Sequence, residues 1–339
     1  MKKSLKKVRL IILMTALIVT YFFCERLLGI KTEHGIRQAS DMYVQPEDSI
    51  DVVFLGSSHI HTNVNTAQLW SEHGIAAYDY SGADQPLWMS YNYLKEICKY
   101  QKPKLVVLDL FSVAVYDTEY FKDFIFLSDN LNGFKFSLNK IEMMKNSCRF
   151  ETLADHFPSF VTWHNRYKEL SEVDLKQFFA TDYERMAFKG YTPYFGVEEK
   201  AEPQEVTEVT ELEPKEAEYL QKIKDYCAEN DMELMFVTAP HVEEADKAHE
   251  IYNRVEQMAL DEGYLFLNGM KLFDELGIDC SKDFNDESHL NYWGSCKYTR
   301  YLGKLIKESY EIPDRRGQEG YESWDRHVEE IKRKVEQNA

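Results

Sequence analysis

Val52-Val53-Phe54-Leu55 and Leu105-Val106-Val107-Leu108 are strand-length stretches of this 339-residue chain that are apolar without interruption. A strand with one wet face alternates apolar and polar residues, whereas a strand buried on both faces does not. Such runs therefore demand a sheet covered on both sides. The segments around them supply the cover. Residues 65–74 read as a short helix with Asn65 as cap and Gly74 as stop. Residues 75–80 read as a second strand, and 85–100 as a helix that tolerates Pro86 in its first turn. Residues 104–110 form the third strand. Strand, helix, strand, helix, strand implies right-handed crossovers and a parallel sheet. The pattern lapses over residues 111–213, which are aromatic-rich, with helices expected at 137–148 and 160–179. This region reads as a helical insertion over the carboxyl edge of the sheet. The acidic stretch 198–218 reads as a solvated loop. The sheet resumes with a helix at 214–230, strands at 233–238 and 264–267, and a helix at 243–263 between them. A final helix at 292–310 carries the apolar stripe Tyr298, Leu302, Leu305 and Ile306.

The N-terminus imposes a second constraint. Lys2, Lys3, Lys6, Lys7 and Arg9 precede an uncharged apolar run from Leu10 to Cys24, closed by Glu25 and Arg26. With its flanks the run approaches the roughly 20 residues that cross a bilayer. The basic cluster predicts a cytoplasmic N-terminus and an extracytoplasmic remainder. Tyr21-Phe22-Phe23-Cys24 is too bulky for a cleavage site, which favours an uncleaved anchor over a signal peptide. The expected organisation is a basic tail at 1–9, a transmembrane signal anchor at 10–29, a juxtamembrane connector at 30–48, an extracytoplasmic domain at 49–310, and a charged tail at 311–339 that is either a peripheral helix or frayed.

A net charge of -18 argues against nucleic-acid binding, because a polyphosphate partner needs a basic face. The six cysteines are scattered, with one in the anchor, so neither a disulfide framework nor a cysteine zinc site is expected. His59-x-His61 is a metal-like pair, but nothing else signals a metal, and no cofactor motif is found.

Three loops that follow strands should meet at the carboxyl edge of the sheet, where open α/β sheets bind ligands. They hold Gly56-Ser57-Ser58-His59, Ser81-Gly82-Ala83 and Asp286-Glu287-Ser288-His289. A serine nucleophile needs a base and a group that orients the base. Asp286-x-x-His289 supplies both from one loop. Alone, Ser58 reads equally as a helix cap, Asp286 as the cap of the final helix, and His289 as a surface histidine; together they form a catalytic set. The N–H groups of Ser58 and Gly82 are the natural oxyanion donors, with glycine at 82 permitting close approach.

At this point the chain resembles the SGNH, or GDSL-like, hydrolase family. Gly56-Ser57-Ser58-His59 stands in place of the Gly-Asp-Ser block, Gly82 follows strand two, and Asp286-x-x-His289 precedes the last helix. The resemblance covers roughly residues 49–310 with the insertion discounted. It implies a flavodoxin-like three-layer α/β/α sandwich, Ser58 as nucleophile, His289 as base and Asp286 as its orienting carboxylate. Ser57, His59 and His164 are candidates for supporting roles. One block departs from the family: 108–112 reads Leu-Asp-Leu-Phe-Ser, without the oxyanion asparagine. Ser112 or the insertion's Trp163-His164-Asn165-Arg166 replaces it, or the oxyanion hole is weaker. The anchor and the late Asp-x-x-His resemble a membrane-bound branch that includes the teichoic-acid D-alanine transfer protein and the SGNH-like proteins of alginate O-acetylation. That resemblance implies acyl transfer to, or removal from, a cell-envelope polysaccharide or teichoic-acid-like polymer, beside a membrane-bound O-acyltransferase. The alternative is a non-catalytic or weakly catalytic accessory protein of such a system.

Overall fold

In the computed structural model, residues 2–29, 31–115, 119–156, 162–204, 206–242 and 247–338 are described. Five strands form one sheet: β1 (Val52–Gly56), β2 (Ala77–Ser81), β3 (Leu105–Asp109), β4 (Glu233–Thr238) and β5 (Leu265–Asn268). Every pairing is parallel, in the order β2-β1-β3-β4-β5. This is the flavodoxin-like order, whose switch point lies at β1/β3.

The apolar runs are explained by where alternate residues go. Val53, Leu55, Val106 and Leu108 join one core, while Val52, Phe54, Leu105 and Val107 join the other. Neither face meets water, so neither needs polar residues. Helices α5 (Leu87–Ile97), α12 (Pro214–Glu229) and α13 (Ala248–Glu262) cover the first face through Trp88, Leu94, Ile223 and Val255. Helices α3 (Ser58–Asn63), α4 (Thr66–His73) and α15 (Tyr292–Ser309) cover the second through Ile60, Leu69, Tyr298 and Leu302. The fold is thus the expected three-layer α/β/α sandwich.

The N-terminal helix α1 (Lys2–Leu28) contains the stretch Leu5–Leu28, with a mean hydropathy of 1.9; its apolar run is exposed, and its end at Leu28 is buried. It is long and apolar enough to cross a membrane. The expected polar connector is partly built into the core. Within it α2 (Ile36–Met42) buries Gln38, Ala39 and Met42.

The insertion contributes α6 (Ser112–Val115), α7 (Phe124–Asn132), α8 (Leu138–Ser147), α9 (Leu153–His156), α10 (Glu172–Phe179) and α11 (Asp182–Arg185). The helix expected at 160–179 is thereby shortened, and its first residues lie outside those described; so do the first residues of the one expected at 243–263. A short helix, α14 (Phe273–Leu276), follows β5. The charged tail ends in α16 (Glu322–Asn338), whose Trp324 is fully buried and donates from Nε1 to Ala77 O at 3.2 Å. Lys189 Nζ lies 3.6 Å from the Trp324 ring centroid. An apolar residue hidden in a charged stretch makes this helix part of the sandwich rather than a frayed end.

Candidate active site

β1 delivers its turn to the carboxyl edge at the switch point. Gly56 has φ +147°, and a Cβ there would lie 2.5 Å from Asp109 Cβ, so only glycine fits between the strand ends. Ser57 caps α3 by accepting from His59 N at 3.2 Å. Its own Oγ and N–H both donate to Asp109 Oδ2, at 2.8 and 3.2 Å. Asp109 Oδ1 accepts from Phe111 N at 3.2 Å. The last residue of β3 therefore clamps the turn that carries Ser58. Ser57 precedes Ser58 in this turn, and Asp109 is its partner.

Ser58 is the first residue of α3 and remains half-buried. His289 Nε2 lies 2.8 Å from Ser58 Oγ. On the far side of the ring, His289 Nδ1 lies 2.9 and 3.1 Å from the two Asp286 oxygens. Asp286 also accepts from Ser288 N and His289 N, each at 2.9 Å, and from Asn285 Nδ2 at 2.9 Å. These bonds make a closed loop across three residues. Leu290 N donates to Asn63 Oδ1 at 3.0 Å, which ties that loop to the end of α3. The cap of the final helix is Asn291, which accepts from Trp293 N and Gly294 N at 3.1 Å, so Asp286 is left to the imidazole. Burial pushes the Asp286 carboxyl up, but the hydrogen bond and charge of His289 outweigh it and hold it well below the usual carboxylate range. The geometry is that of a serine, a base and an orienting carboxylate.

Gly82 corrects the sequence reading. Its N–H donates to Gly56 O at 3.2 Å, because the β1/β2 ladder continues one residue past β2. It is therefore not free for an oxyanion in this geometry. The glycine is required by packing instead: a Cβ would lie 2.0 Å from Asn130 Oδ1. Asn130 on α7 donates from Nδ2 to Ala83 O and Phe126 O, both at 2.8 Å. Gly82→Ala should cost about 1–3 kcal/mol by overpacking, read as a lowered thermal midpoint of the purified chain; an unchanged midpoint would show that Asn130 yields freely.

His59 is fully buried and stacked on Phe111, with ring centroids 3.6 Å apart and His289 at 5.4 Å. It lines the rear of the site. His61 Nδ1 instead lies 3.0 Å from Ser81 Oγ. His241, from the end of β4, is buried 5.4 Å from His59, and burial pushes its pKa down to about 3. Tyr194 stands edge-on to His289 at 5.6 Å. His164 is exposed on a short 3-10 helix (His164–Lys168) whose Arg166 bonds the end of α1. Its expected supporting role is not what this placement gives. Asp109, His241 and Tyr194 were not singled out by sequence. Only Asp109, a charge closing an apolar run, carried a visible signal.

Burial raises the Asp109 carboxyl to about 6, against the opposing hydrogen bonds from Ser57 and Phe111. Below the ordinary value of 3.8 the carboxyl is neutral folded and unfolded. As pH rises through about 6 the folded state is forced to ionise it, and stability is lost. Asp109→Asn has no carboxyl there to ionise, so its stability relative to wild type should rise by about 2 kcal/mol between pH 4 and 7. Denaturant melts at the two pH values measure this; a pH-independent difference would contradict it.

No protein-family model matches the chain, and no curated protein matches it. Solved structures similar to it include a protein assigned to the G-D-S-L lipolytic family from Desulfitobacterium hafniense DCB-2, at 11% identity and TM-score 0.39, covering 75% of this chain and 98% of that one. A protein from Bacteroides fragilis NCTC 9343 assigned as an acylhydrolase is similar at 11% identity and TM-score 0.40, over 81% of this chain and 94% of the other. A gut microbial diltiazem-metabolizing enzyme is similar at 12% identity and TM-score 0.39, over 77% of this chain and 48% of the other. The 2-1-3-4-5 parallel sheet, with Ser58 after β1 and Asp286-x-x-His289 before α15, resembles the arrangement of SGNH-like hydrolases.

Proposed function

We propose that this protein is a membrane-anchored, extracytoplasmic serine esterase or O-acyltransferase that acts on acyl esters of a cell-envelope polysaccharide or teichoic-acid-like polymer, beside a membrane-bound O-acyltransferase. The observation that carries the reading is the unbroken line from Asp286 through His289 to Ser58 Oγ, at 2.9 and 2.8 Å. His289 Nε2 takes the Ser58 proton as Oγ bonds the acyl carbon. The Ser58 N–H occupies the first helical position, where no intrahelical acceptor exists, and it faces the developing oxyanion. Collapse of that intermediate breaks the ester bond, and the imidazolium returns its proton to the departing alkoxide. A second hydroxyl, from water or a glycan, then gives its proton to His289 and attacks the acyl-Ser58 carbonyl. The proton returns to Ser58 Oγ when the acyl group leaves. Asp286 holds the ring in one tautomer throughout.

A groove of about 840 Å³ reaches Glu287, the residue after Asp286, and is lined by charged residues such as Lys200, Glu202 and Lys247 and by apolar ones such as Pro203 and Val242. The basic residues in the first turns of α1, Lys2 to Arg9, support a cytoplasmic N-terminus. The purified full chain should release the chromophore from an activated acetyl ester and, with a glycan acceptor present, form acetylated glycan detectable by mass spectrometry. Absence of both products from the folded chain rejects the reading. Two observations favour the accessory alternative: Gly82 N–H is already bonded, and the oxyanion asparagine is missing from 108–112.

A further inference from the structure

The insertion touches α1 in a way that sets its depth in a bilayer. Phe178, on α10, packs edge-on against Phe23 with centroids 5.3 Å apart. The Arg26 guanidinium lies 5.3 Å from the same ring. Arg166 completes the junction: it donates to Leu28 O at 2.9 Å and binds Asp174 of α10 at 2.8 Å. Phe23 belongs to the apolar run of α1. A residue that touches it shares its level, so α10 sits at the boundary between acyl chains and headgroups.

The remaining surface of α10 fits that level. Leu175, Phe178 and Phe179 fall at i, i+3 and i+4, which places them on one helical face. Phe178 meets α1, while Leu175 and Phe179 stay 49% and 74% exposed. On the other side Asp174 turns inward to Arg166. A short apolar face exposed beside a spanning helix is costly in water and favourable in the interface.

The same junction lies close to the site. Leu28 and His34 are six positions apart in the chain, a reach of at most about 20 Å. His34 O accepts from Ala83 N at 3.0 Å, and the His34 ring lies 5.6 Å from that of His61.

We infer that α10 is an in-plane membrane helix: its Leu175–Phe179 face rests in the outer surface of a phospholipid bilayer beside α1 and holds the Ser58 site at that surface. This rests on the reading of α1 as a membrane anchor. It makes the bilayer, and not the aqueous phase alone, the place from which acyl groups or acceptors reach Ser58.

The test uses the full chain in phosphatidylcholine vesicles with and without brominated acyl chains. Phe179→Trp adds one fluorophore to the five native tryptophans. Leu260→Trp, at a 75% exposed position on α13, is the control. Both positions are exposed, so both variants should fold. Brominated lipid should quench most of the emission added by Phe179→Trp and none of that added by Leu260→Trp. If the chain floats with vesicles after an alkaline wash but Phe179→Trp emission is unquenched, the anchor stands and the in-plane helix is wrong; the face then meets solvent or a protein partner. If the wash releases the chain, the anchor reading fails and the inference with it.

Discussion

Replacing Ser58 by alanine is expected to lower kcat/KM for an activated acetyl ester by about 1,000-fold or more, with no change in thermal midpoint. The expectation follows from what the residue touches. Its Oγ meets His289 Nε2 at 2.8 Å and makes no other side-chain bond among the described residues. The backbone of the turn is held independently by Ser57 and Asp109. Loss of the hydroxyl therefore removes the nucleophile and leaves the fold. Because the nucleophile and base act as one unit, the double variant Ser58→Ala/His289→Ala should be no slower than Ser58→Ala alone. Additive losses would place the two residues in separate roles. A wild-type rate in Ser58→Ala would assign the reaction elsewhere.

The second large effect is expected at Asp286. Asp286→Asn should reduce kcat/KM by about 100- to 10,000-fold, because the orienting carboxylate selects the imidazole tautomer that presents a free Nε2 to serine. The lower end applies here: the Asp286 side chain is 40% exposed, so water can partly replace it at His289 Nδ1. The carboxylate also accepts from Ser288 N and His289 N, so an amide at this position turns one donor against others. A comparison of Asp286→Asn with Asp286→Ala separates these effects. Equal losses in both variants, with midpoints unchanged, would assign the effect to the imidazole. A loss confined to the asparagine variant would assign it to loop distortion.

Much of the sandwich was legible because its signals are local. Val52–Leu55 and Leu105–Leu108 had to be two-sided strands, and their alternate residues do enter opposite cores. Ser58, Asp286 and His289 could be grouped because each sits where a chain leaves or enters a regular element. What escaped were arrangements fixed by distant partners. The glycine at 82 reads as freedom for a ligand, yet it answers to Asn130, which arrives from the insertion. Asp109 looks like the polar end of a strand until its carboxylate is found beneath Ser57. Trp324 sits in a charged tail whose sequence gives no hint that Ala77 and Lys189 await it. His164 stood beside an asparagine and an arginine in a promising tetrad, but the neighbouring Arg166 serves the junction with α1.

The account stands on Ser58 being an activated nucleophile, and covalent labelling reads this most directly. The detergent-solubilised full chain is treated with a fluorophosphonate and mapped by mass spectrometry. The account predicts one adduct, on the peptide containing Ser58, that disappears in Ser58→Ala and falls sharply in His289→Ala. A folded wild-type chain that takes no label, or a label that survives Ser58→Ala, would contradict it.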